Sequence, residues 1–481
     1  MKNFEEIINE LLEMVGRKSV TVEPDQLSRF RVDHLTPQAV VFPKNTRQVS
    51  DVIRLAHTHN LGLIPWGSGT HMAMGNPPKR LDLVLSTSRM NHIIDVDTAN
   101  LTITVEAGVK FRDIQARLAT QEDRCYLPLE DLATEADEVI CSDRSHSGSF
   151  LPMDPPQADK ATIGGIIATN AAGPRRLLYR LPRDLILGVR MVAPTGDIIG
   201  SGGKTVKNVS GYDVSKLAVG SLGSLGIICE MTFKLLPLPQ KMETLLFSFK
   251  SFDAASAFAD QIFETSLLPA AVEVLTESAC SRLAMEGIPN FSAAPCGVAV
   301  ALEEFVPAVS RMSDELTAMA KSHGAGTNNS LDDHQHQAFW LAMSNLGRTL
   351  ESENSGLITL KVNTPVSEWA KTFKTLEATF SEAGLPCALQ AHAGNGVCLA
   401  RLLLDGEDND TMEKAVDTVN HLSNLFGEKD GSLVVQTVPP QWKANLNIWG
   451  NPGSAFPVMK RLKEKIDPLG IMNPGRFVGG L

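Results

Sequence analysis

Apolar positions recur along residues 3–15 at three- and four-residue intervals, through Phe4, Ile7, Ile8, Leu11, Leu12 and Val15. That spacing lines one face of a helix and predicts an N-terminal docking helix within residues 1–30. Residues 39–42 and 62–65 are short apolar runs. Between them, residues 46–59 set Val49, Val52, Ile53 and Ala56 on one helical face, which predicts a β-α-β unit. Residues 81–85, 93–96 and 101–105 read as strands, the last by alternation of Leu101, Ile103 and Val105, and residues 111–118 as a helix. Further strands are expected over 184–193, 196–199 and 225–235.

From residue 240 the pattern alternates more regularly. Strands are expected at 244–249, 270–275, 297–302, 357–362, 387–391, 396–404 and 432–438, with helices at 252–264, 307–321, 368–383 and 411–426. Two β-α-β-β-α-β units side by side satisfy this order, as an antiparallel sheet backed by helices. The expected fold class is therefore α+β.

At 481 residues the chain is too long for one core, and its 43% hydrophobic and 21% charged content is that of a globular protein. A net charge of -11 argues against unaided binding to nucleic acid or an anionic membrane, since both reward clustered Lys and Arg. The start, Met1 to Glu6, has neither a basic nor an apolar leader region, and no run of eighteen apolar residues occurs. A cytoplasmic protein is expected, peripheral to a membrane only through partners. Seven scattered cysteines, with no Cys-x-x-Cys pair, speak against a disulfide framework or a cluster or zinc ribbon held by this chain.

Two stretches carry candidate chemistry. Pro65-Trp66-Gly67-Ser68-Gly69-Thr70-His71 follows an apolar strand, and its glycines allow backbone N–H groups to converge on an anion, or simply form a tight turn. Residues 161–174, with Thr162, Gly164, Gly165, Thr169, Asn170, Ala172 and Gly173, are nearly all small. Such a run favours backbone lying against something flat over a packed helix. Between these stretches, residues 120 to about 160 are acidic and aperiodic and read as a surface excursion ending near Pro152 and Asp154. The cluster Asp332-Asp333-His334-Gln335-His336 reads as a solvated turn at a helix start, with Asp332 as the N-cap.

Three segments in order, 65–75, 162–173 and Lys204 to Asp213 followed by 220–227, resemble the FAD-binding domain of the vanillyl-alcohol oxidase superfamily. The tail, Trp449-Gly450-Asn451-Pro452 and residues 467–481 with Asn473-Pro474-Gly475-Arg476, resembles the end of glycolate oxidase and D-lactate dehydrogenase flavin subunits, especially the second flavin-type subunit of glycolate oxidase. The resemblance implies an FAD-binding domain at 31–239, a cap at 240–445, and a segment at 446–481 returning to the FAD domain. It implies that Trp66 to His71 hold the FAD pyrophosphate, with Pro65, Gly75 and Asn76 completing the turn. Thr162, Gly164, Gly165, Thr169, Asn170, Ala172 and Gly173 would line the ribityl and isoalloxazine side. Ile227 and Ile228 would take the adenine or ring edge, and Pro152 and Asp154 complete the set. Some members attach FAD covalently through histidine, which raises the question for His71; non-covalent FAD is the expectation.

Related D-2-hydroxyacid dehydrogenases carry two histidines seven residues apart around Gly-Asp-Gly, which help to ligate a divalent metal. Here His392 is present, but Asn395 stands for the aspartate and Leu399 for the second histidine. One imidazole does not make a tight zinc site, so no metal is expected. His392 is then either a hydrogen-bonded structural histidine or a base, with Asn395 beside it. Arg476, Lys207 and the Tyr212-Asp213 pair are the other polar candidates, Arg476 because a carboxylate substrate needs a cation. Two functions remain open. One is a dehydrogenase passing electrons from a small 2-hydroxy acid (glycolate or D-lactate type) through FAD to an iron–sulfur subunit, alongside a second flavin subunit. The other is an FAD-binding accessory subunit of such a complex without its own substrate chemistry. The acidic residues Glu130 to Glu138 and the terminus 477–481 are the expected partner contacts.

Overall fold

The computed structural model describes residues 4–119, 124–128, 148–203, 213–284, 295–326, 328–428 and 430–481. Most of the acidic excursion, with Glu130 to Glu138, and the stretch from Lys204 to Tyr212, with Lys207, lie outside the described residues. The chain divides into two compact units. The first comprises Met1–Ala171, Leu181–Pro237 and Pro452–Leu481, and the second Ala172–Arg180 and Leu238–Asn451. No helix among the described residues is long and apolar enough to cross a membrane.

In the first unit, strands β1 (Val20–Thr21), β2 (Ala39–Val41), β3 (Leu63–Trp66) and β4 (Leu83–Ser86) form a sheet in the order β1-β2-β4-β3. The pairs β2–β4 and β3–β4 are parallel, which the crossover helix Thr46–Thr58 makes possible. That helix is capped by Asn45, whose side chain accepts the Gln48 N–H at 3.0 Å. The N-terminal helix Phe4–Val15 buries Ile7, Leu11 and Val15 in the same core as Val49, Val52 and Ile53. Its apolar stripe is thus used within this unit.

A second sheet, order β5-β6-β10-β8-β9, is antiparallel throughout, with β5 (Ile93–Asp97), β6 (Thr102–Glu106), β8 (Ile186–Val192), β9 (Ile198–Gly202) and β10 (Ile227–Lys234). Short β7 (Ser149–Phe150) pairs with β11 (Leu236–Pro237). The small-residue stretch departs from expectation, because Ile163–Thr169 is a helix. Ile163, Ile166 and Ile167, at helical spacing, are fully buried and anchor it. Its glycines let the backbone close up, and Gly164 N–H donates to the Ala107 carbonyl at 2.9 Å.

The second unit is one eight-stranded antiparallel sheet, order β15-β12-β14-β13-β17-β18-β16-β19. The strands are β12 (Lys241–Phe249), β13 (Ala271–Thr276), β14 (Cys296–Glu304), β15 (Asn328–Leu331), β16 (Ile358–Asn363), β17 (Cys387–His392), β18 (Val397–Leu402) and β19 (Ser432–Thr437). Each half has the strand order 4-1-3-2 of a β-α-β-β-α-β unit, and the halves join through their second strands, β13 and β17. One face packs Leu245, Phe247, Val298, Leu360, Leu389 and Ala400 with the helices into a core. The opposite face, by strand alternation, carries Thr244, Glu273, Glu303, Lys361, Gln390, His392 and Arg401.

His336 corrects a second expectation. It lies in the helix Asp333–Glu353 and is fully buried, with Nδ1 2.8 Å from Thr244 Oγ1 and Nε2 3.2 Å from Glu303 Oε1. Asp332 is the residue before the helix, as expected, and the Asp333 carboxylate accepts the Met242 N–H at 2.8 Å. Asp332, His334 and Gln335 are exposed, as expected of a solvated helix start, so the correction concerns His336, with Asp333 half-buried against β12. Glu303 also accepts from Tyr179 Oη at 2.7 Å and pairs with Arg175 Nε at 2.8 Å. These contacts bind residues 172–180 to the second unit. Burial pushes the Glu303 carboxyl up, but the Arg175 guanidinium and its hydrogen bonds outweigh that and hold it below the usual range. Replacing Glu303 with Gln leaves a buried guanidinium uncompensated and is expected to destabilise the protein by about 3–5 kcal/mol in urea unfolding; a loss below about 1 kcal/mol contradicts this account.

Candidate functional site

The first unit contains a cleft built largely from backbone. Strand β3 ends in Pro65 and Trp66 and runs into the loop Gly67 to Met74, which forms one wall. Thr162, Gly164, Gly165, Ala168 and Thr169, from the start and one face of the short helix, form the second. Residues 222–223 and 226–228 form a third, and Asn473 and Arg476 close the end. The cleft encloses about 750 Å³, open solvent at its mouth included, a size suited to a large cofactor.

Glycine is required at two points of the first wall. A Cβ on Gly67 would sit 2.1 Å from Thr162 Oγ1, so any side chain there would have to displace that hydroxyl. Gly69 has φ +80°, and a Cβ would sit 2.8 Å from the Trp66 ring. The Oγ1 of Thr162 and the Oδ1 of Asn473 are buried and have no hydrogen-bond partner among the described residues. Buried polar atoms without partners are costly, and two of them on one cleft mark where a ligand's polar groups fit. His71 lies in the same wall, with Nδ1 3.0 Å from Thr70 Oγ1. Burial drives its pKa down to about 4, so the imidazole is neutral at pH 7 and offers a ligand hydrogen bonding in place of charge.

The C-terminal segment is stitched to this loop. Met472 bridges to Leu63 in parallel, extending the first sheet, and Asn473 N–H donates to the Leu63 carbonyl at 2.8 Å. The Arg476 guanidinium donates to the carbonyls of Met72, at 2.6 Å, and Met74. Arg476 therefore clamps the loop's backbone, and its cation serves the wall. Asn76 donates to the Phe477 carbonyl at 3.0 Å, and Gly75 packs on the Arg476 carbonyl, so both hold the tail and are not part of the cleft lining. Pro152 and Asp154 are buried, and Asn170 caps the helix in a left-handed conformation; none of the three lines the cleft. Ala172 and Gly173 belong to the second unit. The residues that sequence reasoning did not assign to the lining are Met72, Met74, Thr87, Ala107, Ala168, Leu222, Gly223, Gly226 and Asn473. Gly223, Gly226 and Asn473 fall inside stretches already marked by their glycines or by the tail.

In the second unit, His392 ends β17 and is buried, its Nδ1 2.7 and 2.8 Å from the two carboxylate oxygens of Glu273. Asn395 is half-buried in the turn that follows. Lys361 on β16 is half-buried, and desolvation, reinforced by the nearby Arg176, pulls its pKa down to about 8. Glu273 and Lys361 had no local sequence signal, since each reads as an isolated charge within a strand. Among the described residues no three His, Cys, Asp or Glu side chains gather to hold a metal ion.

Comparison with known proteins agrees with the cleft. Residues 37–130 and 144–202 match the FAD binding domain family, and residues 238–436 and 443–477 match the C-terminal domain of FAD linked oxidases. This is an FAD-dependent oxidoreductase fold of the vanillyl-alcohol oxidase and p-cresol methylhydroxylase type, and the chain belongs to the family of FAD-linked oxidases. The glycolate oxidase subunit GlcD of Bacillus subtilis is 30% identical over 451 residues, covering 92% of this chain and 89% of that one. A D-lactate dehydrogenase of Archaeoglobus fulgidus is 27% identical over 450 residues, covering 91% of each. The 4-ethylphenol oxidase of Gulosibacter chungangensis shares the fold, with a TM-score of 0.73 at 15% identity, covering 98% of this chain and 96% of that one.

Gly69→Asp would place a carboxylate into the loop and strain a left-handed turn, so the purified variant is expected to be colourless. A full flavin complement in that variant, measured by absorbance after acid release, contradicts the assignment of this loop to FAD.

Proposed function

We propose that the chain is a dehydrogenase of a small 2-hydroxy acid, with FAD held in the cleft of the first unit. FAD, when bound, supplies the two-electron acceptor for the hydride of the α-carbon. The chain's own contribution is to bind the carboxylate and take the hydroxyl proton, which leaves a 2-oxo acid. His392, held through Nδ1, is the proposed acceptor of that proton at Nε2, with Asn395 beside it. Lys361 is the proposed carboxylate cation in place of Arg476, whose guanidinium is engaged on the loop carbonyls. The observation that carries the reading is the contact between His392 and Glu273, which equips an imidazole for proton transfer without a metal ligand set.

The relatives support the substrate class, being glycolate oxidase and D-lactate dehydrogenase proteins over nine-tenths of this chain. The His392–Glu273 contact and these relatives favour catalysis over the accessory reading. The test is anaerobic mixing of the purified flavoprotein with glycolate, D-lactate and D-2-hydroxyglutarate. At least one is expected to bleach the flavin; if none does while dithionite still reduces it, the accessory reading prevails.

Two further outcomes follow. The free-enzyme kcat/KM is expected to fall as pH rises through about 8, because Lys361 carries its charge only below that value, and Lys361→Arg is expected to move the fall upward by a unit or more. An unchanged profile in that variant removes Lys361 from the site. The described part of this chain presents no route for electrons beyond FAD, so a chain tagged at native expression is expected to co-purify with an iron–sulfur subunit, and with a second flavin subunit. Recovery alone, with full activity towards oxygen, contradicts the complex.

A further inference from the structure

The two buried histidines of the second unit are satisfied differently. His336 is engaged at both nitrogens, by Thr244 at Nδ1 and by Glu303 and Arg175 at Nε2. A histidine that only fills a core is expected to look like that, since each buried polar atom needs a partner. His392 is 3% exposed, yet only Nδ1 is bonded, and Nε2 has no hydrogen-bond partner among the described residues.

The bonded side is strongly built. Glu273 and His392 are direct partners across the β13–β17 seam, so their side chains share a face. The carboxylate also accepts from Gln390 Nε2 at 2.8 Å, and the Gln390 Oε1 accepts from Arg401 Nη2 at 2.9 Å. All four residues are at most 4% exposed. The donors run in one direction, from guanidinium to amide to carboxylate, and then the imidazole N–H meets the carboxylate from its other side. A chain of this kind fixes the amide orientation and polarises its members. Nδ1 lies within hydrogen-bond distance of both carboxylate oxygens, which are acceptors, so the geometry places the imidazole hydrogen on Nδ1 and the lone pair on Nε2. Burial lowers the Arg401 pKa to about 10, which leaves it a cation at neutral pH at the far end of this chain.

We infer that Glu273 is a positioning residue that presents His392 through an open Nε2, and that Gln390 and Arg401 hold Glu273 to that task. This rests on the proposed role of His392 as proton acceptor, but the nitrogen it assigns can be read without substrate. No pair of this geometry is required for the seam itself, which the backbone ladder already joins.

The experiment uses the FAD-loaded full chain labelled with 15N-histidine, with the His392 signals assigned by their absence in His392→Gln. At alkaline pH the wild type is expected to show a protonated Nδ1 and a lone-pair Nε2. Glu273→Met is expected to lose that preference, and Glu273→Gln, whose amide oxygen still accepts, to keep it. In stopped flow, Glu273→Met is expected to slow hydroxy-acid reduction of the flavin at least about tenfold with substrate affinity within about twofold of wild type, and Glu273→Gln to recover part of the rate. A wild-type Nε2–H tautomer overturns the inference, as does Glu273→Met that retains both tautomer and rate. If Glu273→Met fails to fold, wild type and Glu273→Gln decide through the same signals. Failure of every hydroxy acid to reduce the wild-type flavin rejects the proposed function, and the tautomer then decides this inference alone.

Discussion

Thr162 approaches the backbone of Gly67 so closely that a side chain on Gly67 would displace the Thr162 hydroxyl, and the cofactor cleft depends on that contact. It sets the loop after β3 against the start of the short helix, although the two are far apart in sequence. The distance between these walls is therefore set by backbone and a hydroxyl, with little room for repacking. The tail completes the arrangement from the far end of the chain, with Met472 extending β3 and Arg476 holding the carbonyls of Met72 and Met74. Substitutions at the tail should thus be felt at the loop, because main-chain carbonyls lose their donor.

The second unit obeys a different constraint. Its two halves are each a complete β-α-β-β-α-β unit, and helices cover one face with a dense apolar core. Charged and amide groups collect on the opposite face, where they are buried in pairs and chains. Glu303 gathers Arg175, Tyr179 and His336, while Glu273 gathers His392 and Gln390. The first set is closed on itself and reads as architecture. The second leaves Nε2 of His392 without a hydrogen-bond partner among the described residues.

Much of this was legible in the sequence. The β-α-β opening, the doubled β-α-β-β-α-β unit and the glycine loop follow from periodicity and turn chemistry, and the family of the FAD-binding motifs was readable from their order. The helix at Ile163–Thr169 was hidden because its glycines drew attention away from Ile163, Ile166 and Ile167, whose spacing was helical all along. His336 read as a solvated turn because nothing local announces that Thr244 and Glu303 lie across from it. Glu273 was silent for the same reason: its partner is 119 residues away, and only strand pairing brings them together. Local chemistry writes turns and caps into a sequence, whereas cross-strand partnerships are set by register, which a single chain does not display.

Whether this FAD-linked oxidase withdraws a hydride from the α-carbon of a hydroxy acid can be read from an isotope effect. Flavin reduction should be followed anaerobically in stopped flow with the bleaching hydroxy acid and with its α-deuterated form at saturating concentration. Deuterium is expected to slow the bleaching several-fold, because breaking that C–H bond is the step being watched. Equal rates for the two forms, in a chain whose flavin is reduced in a single fast phase, would contradict it.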